Sequence, residues 1–402
     1  MGILNIRCMP PINQELEMTT VFGELDHVLL MAPGPSPVAP NVLKAMSIPT
    51  LGHLDPDCIK VMDAMQDQLR AVCKTKNAVT FPISGTGSAG MEATFVNLVE
   101  RGDDVLIVNN GVFCSRMVEV ATRLGAQVDV VECPWGQPID PAAVKARLDK
   151  KHYKILAAVH AETSTGINNP IAAIGELVKN SDTLYLVDSV AGLGGVDMRV
   201  DEWGIDAFYS GSQKCLSVPP GLAPASFSDA AMETIAKRKT KVPNWYMDVS
   251  LIRKYWEGSP RVYHHTAPIN MYYAMHQALD NLLTEGLDAS FARHVAMHQR
   301  LTDGLAKLGF TPYVKEGGAP QINLFLPPAG VDANTLRACL RKEHKIEVAG
   351  GLGDLAGKVI RVGVMGEGAR EEPIDRLINA IKACINKLHI CFSAVHKTAA
   401  AS

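Results

Sequence analysis

An aspartate and a lysine, Asp188 and Lys214, stand 26 residues apart, each at or just beyond a short apolar run: TLYLVD (183–188) and DAFYSGSQK (206–214). A carboxylate and an ammonium on neighbouring strand ends could form a simple ion pair. A third feature widens the choice. Gly85-Thr86-Gly87-Ser88-Ala89-Gly90 is a literal G-x-G-x-x-G between a strand-like and a helix-like run. As a dinucleotide fingerprint it needs an acid about twenty residues on, closing the next strand, to hold the ribose hydroxyls. That strand ends VLIVNNG, with Asn109 and Asn110 and no acid. A phosphate needs only the glycines and the N–H groups of the helix start, and a plain tight turn needs less. A lysine and a carboxylate above a phosphate site match the needs of pyridoxal 5′-phosphate. The lysine forms a Schiff base with the aldehyde, and the carboxylate keeps the pyridine nitrogen protonated so that the ring accepts electrons. Phe113 adds a flat side chain that could stack on such a ring or simply fill a core. Arg361 lies inside the apolar run KVIRVGV, where an unpaired arginine is costly. Its planar fork suits a substrate carboxylate, or a structural ion pair with Glu367 or another acid.

These residues need a scaffold that brings them together, and the hydrophobic patterning supplies one. From about residue 58 to residue 230, short apolar runs alternate with amphipathic stretches. NAVTFPIS (77–84), DVLIVNNG (104–111), QVDVVECP (127–134), KILAAVHAE (154–162), TLYLVDSV (183–190) and DAFYSGSQ (206–213) read as strands. CIKVMDAMQDQLRAVC (58–73), MEATFVNLVE (91–100), SRMVEVATRLG (115–125) and PIAAIGELVKN (170–180) read as helices. The alternation predicts an α/β fold: a mostly parallel sheet with helices on both faces. Ligands of such sheets sit beyond the C-terminal strand ends, where 84–90, 110–113, 160–165, Asp188 and 210–214 all fall. The last third changes character. A long helical pattern (269–309) precedes QINLFLPP (321–328), NTLRACLRKEH (334–344), KVIRVGVM (358–365) and a final helix near 373–388. The expected organisation is an N-terminal arm (1–30), a large cofactor-binding domain (31–284) and a smaller C-terminal α+β domain (285–402).

Composition excludes several classes. The 402 residues carry 39 basic and 42 acidic side chains, net −3, with no block of like charges. That is not the basic stripe nucleic acid requires. No run of eighteen apolar residues occurs, so no membrane span is expected. The nine cysteines are odd in number and scattered without a C-x-x-C pair, which reads as free thiols rather than a disulfide framework or a zinc site; no metal is expected. The start MGILNIRCMPPINQELEM lacks the apolar core of a signal peptide, and position 6 is Ile, against myristoylation of Gly2. The end HKTAAAS is not an S-K-L-type address, which leaves a cytoplasmic location as the default, with peroxisome or mitochondrion as alternatives.

The motifs SGTGSAGMEA, HAETSTG, LVDSVAGLGG, YSGSQKCLSVPPG, YHHT and IEVAGGLG…GKVIRVGVMG resemble those of the alanine–glyoxylate aminotransferase family. That family includes serine–pyruvate and serine–glyoxylate enzymes, within the class V, fold-type I pyridoxal-phosphate proteins. The similarity runs in order from MAPGPSP at residue 31 to about residue 385. It implies Lys214 as the Schiff-base lysine and Asp188 as the partner of the pyridine nitrogen. Thr86, Gly87, Ser88 and Gln213 would hold the phosphate. Phe113, where relatives often have Trp, would stack on the ring, and Thr163 would bond near the cofactor's phenolic oxygen and line the substrate site. Arg361 would take the substrate α-carboxylate. Tyr263 and Thr266 would reach the phosphate of the neighbouring subunit, so the resemblance implies a homodimer with shared active sites. It also implies a ping-pong reaction in which the freed lysine removes the Cα proton, with alanine or serine as donor and glyoxylate as acceptor. Close rivals are a ureidoglycine–glyoxylate aminotransferase, whose members tend to carry Gln where LGHLDP has His53, and a 3-hydroxykynurenine transaminase. His53 is therefore a candidate selectivity residue, or a structural histidine. A cysteine desulfurase needs a Cys that the loop before Arg361 lacks, and a non-catalytic relative would have lost Lys214 or Asp188.

Overall fold

The apolar runs in the middle of the chain build one seven-stranded sheet in the computed structural model, which describes residues 25–399. Its strands are β1 (Val79–Ser84), β2 (Asp104–Asn109), β3 (Gln127–Glu132), β4 (Ile155–Val159), β5 (Leu184–Asp188), β6 (Ala207–Tyr209) and β7 (Leu222–Phe227). The order is β1-β7-β6-β5-β4-β2-β3. All pairings are parallel except those of β7, which runs antiparallel to both β1 and β6. Because β7 is flanked on both sides by antiparallel neighbours, the other six strands point the same way and their C-terminal ends share one edge. The sequence reading does not anticipate β7. Pro224 interrupts its pattern, and in the sheet that proline faces Pro82 of β1, so two residues without an N–H oppose each other.

Helices α1 (Pro40–Met46), α2 (Pro56–Cys73), α3 (Gly87–Leu98) and α4 (Val112–Arg123) cover this sheet with α5 (Ile269–Glu285). Gly90 lets α3 lie close on the sheet: a Cβ there would meet the Cβ atoms of Ala223 at 2.9 Å and Tyr209 at 3.0 Å. The long helical pattern of 269–309 is two helices, not one. Gly286, at φ +89°, ends α5 and is also the N-cap residue of α6 (Leu287–Ala306).

Beyond it, β8 (Thr311–Pro312), β9 (Ile322–Leu326), β10 (Ala349–Gly350) and β11 (Ile360–Gly363) form an antiparallel sheet in the order β8-β9-β11-β10. It is covered by α6, α7 (Ala333–His344) and α8 (Glu371–Ala399), the last much longer than the 373–388 expected. One buried cluster gathers residues 39–282 and a second gathers 297–385 with Met31. This separation supports the division near residue 285 that we propose. The second cluster also takes in the start of the chain, since Leu29–Leu30 pairs in parallel with Ile346–Glu347. A third, smaller cluster joins the two units through Ala161, Ala191 and Cys215 on one side and Ile322, Leu324 and Met365 on the other.

The expectation of free thiols fails for one pair. Cys339 on α7 and Cys384 on α8 form a disulfide, while Cys58, Cys73, Cys114, Cys133 and Cys215 are free. The two are 45 residues apart, and only the packing of α7 against α8 makes them neighbours. Among the described residues no helix is long and apolar enough to cross a membrane. The readings made for the arm before residue 25, for Cys8 and for the terminal HKTAAAS bear on residues that lie largely outside the described ones.

Candidate active site

Past the end of β6, residues 210–213 turn back across the sheet edge and deliver Lys214. Hydrogen bonds fix this turn at every step. Ser210 Oγ donates to the Ser189 carbonyl (2.9 Å) and Ser212 Oγ to that of Pro219 (2.7 Å). The segment MAPGPSP lies over it, with Ser36 N–H donating to the Gln213 carbonyl (2.9 Å) and Ser36 Oγ to that of Lys214 (2.7 Å). The lysine side chain is buried beneath that segment, and its Nζ donates to the Pro33 carbonyl. Gly34, at φ +100°, has no room for a Cβ, which would fall on the lysine side chain. Burial lowers the Lys214 pKa to about 8, and no carboxylate bridges to Nζ among the described residues.

Asp188 closes β5 on the neighbouring strand and is 3% exposed. Its Oδ1 accepts the Val190 N–H (2.8 Å) and its Oδ2 the Tyr209 hydroxyl (2.8 Å). Burial pushes its pKa up to about 6, against the pull of those two donors and of the Lys214 charge. The ion pair considered from sequence is absent: among the described residues Asp188 has no salt bridge. A buried carboxylate without a cation is costly, and a protonated ring nitrogen would supply what is missing.

The glycine loop fits the other end of such a ligand. Thr86 is the N-cap residue of α3, yet no side chain caps this helix, and the Gly87 and Ser88 N–H groups make no hydrogen bond among the described residues. Gly87 is packed close to the residues after Asp188 and Lys214's strand, a Cβ there meeting Val190 at 3.1 Å and the Ser210 carbonyl at 3.5 Å. Gln213 Oε1 is buried with no partner, and rotating that amide presents N–H instead. An uncapped helix start, an unsatisfied amide, an unpaired buried acid and an unpaired buried lysine form a donor set that suits pyridoxal phosphate.

Phe113 stands half-buried at the first turn of α4, with the Arg116 guanidinium 5.0 Å from its ring centre. The helix start is held by Glu162, a fully buried carboxylate. It accepts the Phe113 (3.2 Å) and Cys114 (3.3 Å) N–H groups together with the N–H (2.9 Å) and hydroxyl (2.6 Å) of Ser164. Burial raises its pKa.

Arg361 on β11 closes the site from the second unit. Its Nε donates to the Gly350 carbonyl (2.6 Å) and one terminal nitrogen to the Thr163 carbonyl (2.9 Å). The structural alternative fails, because Glu367 pairs with Arg370 (2.8 Å) and leaves Arg361 without a carboxylate among the described residues. Thr163 thus meets Arg361 through its backbone, while its hydroxyl makes no hydrogen bond among the described residues.

Three expected residues do not join this pocket within the chain. Tyr263 is 52% exposed, its hydroxyl 3.4 Å from Thr266 Oγ1, and Thr266 is exposed too. The His53 ring stands beside Tyr263, centroids 4.8 Å apart. Their surroundings are rooted near the glycine loop: His265 Nε2 lies 2.7 Å from Ser84 Oγ, and its Nδ1 lies 2.8 Å from that of His264. Burial lowers the His265 pKa to about 4, so that ring is neutral.

Sequence reasoning missed Tyr209, Glu162 and the Pro33–Ser36 clamp. Tyr209 reads as one more aromatic in an apolar run. Glu162 carried a signal, an acid inside a predicted strand end, and MAPGPSP carried another in its density of turn formers.

The model of the family described as aminotransferase class-V matches residues 28–368. The chain is 38% identical over 361 residues to an alanine–glyoxylate aminotransferase of Drosophila melanogaster, covering 89% of this chain and 92% of that one. The crystal structure of an alanine–glyoxylate aminotransferase from Nostoc sp. superposes with a TM-score of 0.88 at 44% identity, over 96% of this chain and 100% of that one. A ureidoglycine–glyoxylate aminotransferase structure from Bacillus subtilis gives 0.89 at 37%, over 91% and 94%.

Proposed function

Since the chain belongs to the aminotransferase class-V family, we propose that it transfers the amino group of L-alanine, or L-serine, to glyoxylate in two half-reactions. The products are glycine with pyruvate or hydroxypyruvate. The observation that carries this reading is a buried lysine and a buried carboxylate, neither ion-paired, past neighbouring strand ends and beside an uncapped helix start.

Lys214, Asp188, Gln213 and the Thr86–Ser88 helix start would hold pyridoxal phosphate, with Phe113 against its ring. When bound, that group supplies an electron sink for the Cα carbanion and carries nitrogen between the half-reactions. The protein's own work is acid–base and positional. Lys214 Nζ moves the proton at Cα, and with a pKa of about 8 it is about half neutral at mildly alkaline pH, so it can accept one. Asp188 holds a proton on the ring nitrogen by remaining ionised. Arg361, fixed by two carbonyls, takes the α-carboxylate with its remaining donors. Tyr263 and Thr266 complete the site of a second copy, giving a homodimer with shared sites. The exposure of Tyr263 (52%), Val262 (53%) and Trp245 (61%) supports that arrangement.

Arg361→Lys tests the carboxylate role. A point charge replacing a planar fork loses one charged hydrogen bond, about 1.5–3 kcal/mol, so KM for L-alanine is expected to rise about ten- to a hundredfold with cofactor affinity unchanged. An unchanged KM sinks the assignment.

The reading as a whole is tested on the cofactor-loaded protein by adding L-alanine alone. One pyruvate per site is expected, with loss of the visible absorbance, and glyoxylate then restores the absorbance and yields one glycine. Absence of keto acid with either alanine or serine overturns it. Turnover confined to ureidoglycine selects the second reading, which the B. subtilis structure, at a TM-score of 0.89 and 37% identity, supports.

A further inference from the structure

Tyr209 is in none of the roles above, yet its geometry joins both ends of the site. It is fully buried on β6 and faces Asp188 in the register of the sheet. Its hydroxyl donates to Asp188 Oδ2 at 2.8 Å, and its Cβ is one of the two atoms against which Gly90 seats the glycine-loop helix α3. The same side chain therefore lies under the helix start and ends on the carboxylate. A carboxylate at the end of a two-bond side chain has rotational freedom that a single backbone donor from Val190 does not remove. With a donor on each oxygen, one rotamer satisfies both.

We propose that Tyr209 is a positioning residue for the cofactor: through its hydroxyl it fixes the orientation of the Asp188 carboxylate and keeps that buried group ionised. The inference rests on the reading that Asp188 pairs with a ring nitrogen. The hydroxyl offsets two influences that favour the neutral acid, burial and the Glu162 carboxylate on the adjoining segment; the Cys114 thiol on α4 is held protonated by burial and contributes no charge. On the other side stand only the Val190 N–H and the Lys214 charge, the latter consumed once Nζ is engaged. His160, whose backbone N–H bonds the Asp188 carbonyl, is buried and neutral and contributes no charge.

Tyr209→Phe removes the hydroxyl and nothing else. Titration of the cofactor-free variant with pyridoxal phosphate, followed by quenching of protein fluorescence, is expected to give affinity weaker by about ten- to a hundredfold, the loss of one hydrogen bond to a charged group. The acid limb of that affinity is expected to move to higher pH, because an aspartate with one donor fewer protonates sooner as pH falls. The L-alanine KM is expected to stay within about twofold while kcat falls, since the carboxylate of the substrate is held by other residues. Thermal melting of the cofactor-free forms separates a fold defect from a positioning one. Affinity and acid limb equal to wild type, or a lowered melting temperature with unchanged affinity, overturns the proposal. Asp188→Asn measured alongside distinguishes the two levels. If it too leaves affinity unchanged, the pairing of Asp188 with the ring is wrong. If only Tyr209→Phe is silent, the pairing stands and the role of Tyr209 falls.

Discussion

Lys214→Ala is expected to abolish transamination, with kcat for the alanine half-reaction falling by about 10⁴-fold or more, the upper end of what a positioned general base supplies. The size of the effect follows from the surroundings. Lys214 is 9% exposed, and the segment above it leaves no route by which another base could replace it: Pro33 and Gly34 stand directly on the ammonium. Cys215, next in sequence, is buried with its thiol pushed up to a pKa of about 12, so it is no substitute nucleophile. The alanine variant is expected to fold, because Ser36 grips the backbone of residues 213 and 214 rather than the side chain. It is also expected to keep pyridoxal phosphate weakly, through the helix start and Asp188, and to lose it on gel filtration where the parent does not. Rapid-quench detection of pyruvate after mixing with L-alanine is the decisive measurement. Production at the parental rate sinks the assignment of Lys214.

What could be read in the sequence followed a simple physical division. Asp188, Lys214, the glycine loop and Arg361 were legible because each is a polar residue at the end of, or within, an apolar strand, where only chemistry or a paired partner justifies it. The parallel sheet was legible because strands buried on both faces read as continuous apolar runs. What depends on contacts between distant segments was not. The β7 strand hid behind Pro224, which removes a ladder donor and reads as a strand break, although its carbonyl still accepts the Ser210 N–H. The Cys339–Cys384 pair is set by helix packing, and nothing in the spacing of nine scattered cysteines singles it out. Tyr209 could not be told from a core aromatic without knowing that β5 and β6 are neighbours in register. His53 reads as a candidate selectivity residue and Tyr263 as one that reaches a neighbouring subunit's phosphate; within the chain their rings stand beside each other, so His53 shares its place with a residue assigned to the second copy.

The second large effect, Asp188→Asn, separates activity from stability. In activity the substitution is expected to cost about 3–5 kcal/mol of transition-state stabilisation, roughly 10²- to 10⁴-fold in kcat, the scale of breaking one buried ion pair. The hydrogen bonds around it are expected to survive. The asparagine carbonyl can take the Val190 N–H, and its amide can donate to the Tyr209 oxygen, so both existing bonds find a counterpart. The pH dependence carries the stronger test. Without cofactor, the folded pKa of Asp188 is about 6, raised by burial from an ordinary value of 3.8. A group raised on folding contributes stability only below its unfolded pKa and loses it as pH rises through the folded one. Above about pH 6, therefore, the ionised Asp188 costs the empty protein about 3 kcal/mol, from two pKa steps at 1.36 kcal/mol each. Asparagine carries no such charge. The empty variant is expected to melt above the parent at about pH 8 and level with it near pH 4, while at about pH 8 added pyridoxal phosphate stabilises the parent more than the variant. Differential scanning calorimetry of both proteins, empty and loaded, at the two pH values reads all four quantities. Equal melting of the empty forms at the higher pH, together with retained kcat, would mean that Asp188 is neutral in the fold and that the site does not depend on its charge.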